Sequence, residues 1–181
     1  MSTVVNIVNR TSDILERGAP ILPLVARVVF AAVLAGYYWA SAMTKLGDGP
    51  LGLFNPSVGA YAQIFPKTFD AVGYDTSAMS LWHTLVVLAG TWAEFLLPLL
   101  IILGLFTRLA ALGMIGFVAV QTVVDLFGHG LIAVPETVGA WFDRHPDSAI
   151  MDQRSLWLVL FLTLVVKGGG LLSADRALGI R

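Results

Sequence analysis

Three ionisable side chains interrupt runs that are otherwise apolar: Arg27 in the first, Glu94 in the second and Lys167 in the last. A charge placed in such a run is costly and faces a protein interior or a wet cavity. Counted from one common end of their runs, they lie about 7, about 9 and about 5 residues in, which is near 10 Å for Arg27 at about 1.5 Å per residue. The spacing predicts one level at which an acid sits between two bases. Two readings of that level stand. One is a quinone headgroup site or proton relay, in which Glu94 exchanges the proton and Arg27 orients a carbonyl oxygen. The other is a structural ion pair that fixes helix register, the more frequent role of buried charges.

A second polar group lies at the opposite ends of the runs: Lys45, His83, Asp125 and His129. Two histidines on one side of a membrane suggest haem or metal ligation, with Asp125 as a further ligand or orienting group. The signal is weak, because His83 adjoins Trp82 and His129 lies between Gly128 and Gly130, as histidines in a wet interface would. No metal site is expected, haem is disfavoured, and no cofactor is firmly implied, a quinone at the buried level being the one that the first reading would take. Gly168-Gly169-Gly170 lacks the preceding strand and following Lys of a phosphate loop. It reads as a helix C-terminal cap. Arg108, Asp175 and Arg176 gather at one face, where Asp175 is expected to pair with Arg176 or Arg108.

The elements that must carry these residues are membrane spans. Leu81–Leu103 is a long apolar run that carries one acid, Glu94. The hinge Gly104-Leu105-Phe106-Thr107-Arg108 follows it, and a second apolar run leaves at once. Runs of that length span a bilayer, and so short a connection joins antiparallel helices. The expected spans are about residues 20–46, 81–103, 109–127 and 155–172. Pro20 and Pro23 suit a first helical turn, and the many small side chains of the first span allow close helix packing. Residues 47–80 and 128–154 are long loops; the first is apolar enough for one or two short interfacial helices, a lid or a packing segment. Residues 1–19 read as a surface amphipathic helix or a loose tail, and not as a cleavable signal. Basic residues favour the side of both termini and the hinge, which places that side in the cytoplasm.

Composition agrees. Of 181 residues, 57% are hydrophobic and 13% charged, against about 25% charged in soluble domains. The fold class expected is all-α: a single-domain, integral membrane four-helix bundle, antiparallel up-down, with both termini cytoplasmic and two longer outer loops. A net charge of −1 implies no nucleic-acid partner. The absence of cysteine excludes disulfides and thiol chemistry, including that of thiol-oxidising four-helix membrane enzymes.

With spans, hinge and tail placed, the sequence resembles the DoxX family of small bacterial four-helix membrane proteins over about residues 24–178. The resembling pieces are the first span with its early arginine and closing Lys45-Leu46, Glu94 in the second, the hinge Gly104–Ala111, and Ser173-Ala174-Asp175-Arg176. The long loops and Lys167 depart from the shortest members. The resemblance implies a multi-pass protein of the bacterial cytoplasmic membrane. It also implies a loose redox link, because the family resembles a subunit of an archaeal enzyme that oxidises thiosulfate and reduces quinone. The expected function is therefore a non-catalytic subunit or partner of a quinone-linked redox system, working with a redox protein or as a homo-oligomer in the lipid bilayer. A small transporter or cargo-binding protein, and a purely structural scaffold, are the alternatives.

Overall fold

Apolar runs that must satisfy every backbone polar group internally form helices, and helices are what the chain builds. The computed structural model describes residues 2–180. Helix α1 (Ser2–Glu16) leads through a 3₁₀ turn (Ala19–Ile21) into α2 (Leu22–Phe30). A π turn (Ala31–Ala35) joins α2 to α3 (Gly36–Lys45). Two short helices, α4 (Val58–Ile64) and α5 (Pro66–Ala71), occupy the first long loop, as its apolar content suggested. Then come α6 (Leu81–Leu103) and α7 (Thr107–Val123), which continues as a second π turn (Val124–Gly128). Helix α8 (Pro135–Val138), α9 (Met151–Lys167) and α10 (Ala174–Ala177) complete the chain. The described residues contain no strand beyond an isolated bridge between Leu46 and Pro56.

Among the described residues, three helical stretches are long and apolar enough to cross a membrane: Thr3–Lys45, Leu81–Leu103 and Thr107–Gly128. Helix α9 has 17 residues and packs against α7 and α2. It begins at Met151 and ends at Lys167, four residues before and five before the expected limits of 155 and 172. The early start has a local cause. The Ser148 amide donates to Asp152 Oδ2 (2.9 Å) and the Asp152 amide to Ser148 Oγ (3.2 Å), a reciprocal closure like a capping box. The early end is set by Gly168, whose φ of 73° and ψ of −159° leave the helical region, so the triple glycine does end the helix.

The main core lies where α2, α3, α6, α7 and α9 meet, around Phe30, Tyr38, Ile101, Met114, Phe161 and Leu164. A second cluster, Tyr61, Phe69, Met79 and Val87, packs α4 and α5 against the first half of α6. That half therefore rises past the end of α3. The outward faces are also apolar: Val25, Val29 and Val33, Leu85, Leu96 and Leu99, Leu112 and Val120, and Leu156, Val159 and Val166 are all exposed. Apolar faces on both sides of a helix mark burial in hydrocarbon.

Candidate functional site

The acid in the second span does find a base, but it is Lys45 and not Arg27. Lys45 closes α3, and Ser41 lies one turn before it on the same face. Lys45 Nζ reaches Glu94 Oε2 at 2.9 Å and Oε1 at 3.1 Å. It also reaches Ser41 Oγ at 2.7 Å and the Ser41 carbonyl at 3.2 Å. The Ser41 hydroxyl donates to Glu94 Oε1 at 3.0 Å. Lys45 and Glu94 are both only 5% exposed. Desolvated charges this well enclosed require such a closed set of partners.

Arg27, Glu94 and Lys167 do not share a level. Arg27 donates to the carbonyls of Ile101 (2.8 Å), Ile102 (2.6 Å), Gly169 (3.0 Å) and Leu172 (2.5 Å). These include the last carbonyls of α6, seven or eight residues beyond Glu94, which is about 10 Å along the helix. A guanidinium fork with five N–H groups suits orphan carbonyls at a helix end. Lys167 is exposed at the end of α9. The three would share a level only if the spans ended level with one another. They do not, because α6 outruns α3 and brings Lys45 to its middle.

The ion pair forms part of the wall of a cavity of about 580 Å³ between α3, α6 and α7. Its polar wall also includes Tyr37, Gln121, Asp125 and His129; Leu97, Phe117 and Val120 are among its apolar residues. Gln121 Nε2 donates to the Tyr37 hydroxyl at 2.7 Å, which leaves the phenol proton free to donate elsewhere. Gln121 Oε1 is buried with no donor among the described residues. A Cβ built on Gly116 would meet nothing within 4 Å, so the missing side chain there leaves open cavity space.

The outer-side group divides the same way. Asp125 pairs with Arg154, which also donates to Thr122 Oγ1 at 2.6 Å and ties α7 to α9. His129 Nε2 lies 3.0 Å from the Gln63 carbonyl. His83 Nδ1 lies 2.8 Å from Ser80 Oγ, and its ring meets Phe65 edge-on at 4.8 Å between centroids. Lys45, Asp125 and His129 border the cavity and His83 does not, so the two histidines do not form one ligand set. Among the described residues no three His, Asp or Glu side chains group as metal ligands would. Asp175 is not ion-paired with Arg108 or Arg176 either. Its carboxylate accepts from the amides of Phe106 (2.6 Å) and Thr107 (2.9 Å) and caps α7. Arg108 Nη1 donates to the carbonyls of Val165 and Val166.

Sequence reading passed over Ser41, Tyr37, Gln121 as a cavity residue, and Arg154. Ser41 was legible from its helical spacing to Lys45. Arg154 was not, because hydropathy placed it in a loop.

The apolar outer faces and the long apolar helices define an integral membrane protein built of helices. A family model described as DoxX matches residues 22–130, well over half of the 181 residues, and the chain belongs to the DoxX family. No curated protein and no solved structure matches it.

Proposed function

We propose that this protein is a non-catalytic subunit or partner of a quinone-linked redox system, and that the Lys45–Glu94 cavity holds a quinone headgroup. The proposed setting is an antiparallel bundle of four spans in the bacterial cytoplasmic membrane, with both termini inside. The observation that carries the reading is a buried acid–base pair in the wall of an amphipathic cavity between membrane-spanning helices. At about 580 Å³ the cavity falls within the roughly 300–1,000 Å³ of small-molecule sites.

A bound quinone would supply two-electron chemistry, with redox centres provided by a partner protein. This chain's own contribution is binding and proton placement. With a quinone bound, the Tyr37 hydroxyl would donate to a carbonyl oxygen, Gln121 Oε1 would accept from a hydroxyl, and Phe117 and Leu97 would supply apolar wall for the ring. The Lys45 ammonium, hydrogen-bonded to Glu94 and Ser41, places an acidic proton in the cavity wall beside the headgroup.

Native-lipid extraction followed by mass spectrometry tests this. Quinone should co-purify with the parent and fall several-fold in Gln121→Leu/Tyr37→Phe, with the yield of folded protein unchanged. Equal quinone in both would remove the reading. A small polar solute in place of quinone would favour the transporter alternative.

A further inference from the structure

A second cavity, of about 750 Å³, lies at the other end of the bundle, where the α6–α7 hinge, the end of α9 and the start of α2 meet. Arg108, Lys167 and Arg176 border it. Lys167 and Arg176 have no acceptor for their side chains among the described residues. Arg108 spends Nη1 on two carbonyls and keeps its other edge. Of the two bordering acids, Glu16 is exposed and Asp175 is committed to the α7 amides. The wall is therefore rich in uncommitted positive charge.

The glycine run adds directed donors. Arg27 takes the carbonyls of Gly169 and Leu172, and Ser173 Oγ that of Gly170. The amides of Gly169 and Gly170 donate to nothing among the described residues, although Gly169 is buried. Buried backbone donors without partners are rare. Thr107, also in this wall, is 0% exposed and its Oγ1 has no partner among the described residues. Such unmet donors beside excess positive charge call for an anion with several acceptor oxygens.

We infer that this cavity binds a phosphate group, with charge from Lys167, Arg176 and Arg108 and hydrogen bonds from Gly169, Gly170 and Thr107. Leu109 and Leu171 line the same space and suit the chain of a lipid whose headgroup carries that phosphate. The site is separate from the Lys45–Glu94 cavity and does not depend on its ligand.

The test uses the full chain in dodecyl maltoside, with phosphatidylglycerol or phosphatidylcholine added and retention read by native mass spectrometry. Lys167→Gln/Arg176→Gln removes two side chains that hold nothing in the fold. A basic side chain beside an anionic headgroup contributes roughly fivefold in affinity, so the double variant should retain phosphatidylglycerol about 25-fold more weakly. Its phosphatidylcholine retention should fall less, because choline offsets the phosphate charge in that lipid, and Lys167→Arg/Arg176→Lys should behave as the parent. Lys67→Gln/Arg144→Gln, which removes two cations remote from the cavity, should also match the parent; an equal loss there would reduce the effect to net charge and overturn the site. Inorganic phosphate at matched ionic strength separates the sources. Thermal stabilisation of the parent over the double variant, without lipid retention, identifies a free phosphate; retention without that stabilisation identifies a lipid headgroup. Absence of both overturns the inference.

Discussion

Glu94 illustrates how one residue decides a site. A carboxylate in the middle of a membrane helix needs a cation, and Lys45 supplies it from a helix end that stops beside the middle of α6. Breaking a buried pair by removing one partner typically costs about 3–5 kcal/mol, whereas replacing both with apolar groups costs far less. Lys45→Met and Glu94→Gln should therefore each lower the unfolding temperature in detergent, and Lys45→Met/Glu94→Leu should recover most of the loss. Arg27 belongs to a different set of contacts. In a double-mutant cycle, Arg27→Gln and Glu94→Gln should add within about 0.5 kcal/mol, as separated sites do. A strong coupling in that cycle would restore the Arg27–Glu94 pair that depth counting suggested. The presence of a buried acid was legible in the sequence; its partner was not, because hydropathy gives the length of a run and not its height against its neighbours.

At the scale of elements, the hinge shows how distant chain segments complete a turn. Helix α6 closes with Gly104 at φ 65°, and the Leu105 amide returns to the Leu100 carbonyl at 2.9 Å, a glycine-ended helix cap. A Cβ on Gly104 would lie 2.7 Å from Arg27 Cζ, so Gly104→Ala would displace the Arg27 fork as well as strain the turn. The first amides of α7 find their acceptor in Asp175, nearly 70 residues later. Loss of a capping side chain costs about 0.5–2 kcal/mol, and Asp175→Ala should lower thermal stability by at least that, with Asp175→Asn closer to the parent. Arg27→Lys should not rescue Arg27→Gln, since an ammonium has three donors and no planar fork. A stability equal to the parent in Asp175→Ala would show that the cap carries no weight. The hinge, the triple glycine as a helix stop and Leu81–Leu103 were readable as local signals. The capping role of Asp175 and the pairing of Arg154 were not, because each depends on a contact between helices far apart in sequence.

At the scale of the molecule, the chain places one polar cavity within its helices and another at one end. The orientation proposed above, with the hinge and both termini inside, is what the bias of basic residues predicts. Reporters active only outside the membrane should work when fused at residue 60 or 140 and fail after residue 181; the reverse pattern would turn the molecule over. The central claim concerns the cavity between α3, α6 and α7, and filling it tests that claim most directly. Gly116→Leu places a side chain where a Cβ meets open space, so its unfolding temperature should match that of the parent. In nanodiscs, titration with a short-chain quinone should quench the parent's tryptophan fluorescence to saturation. In Gly116→Leu the saturable part should disappear while stability is retained. Undiminished saturable quenching in the folded, filled variant would contradict the account.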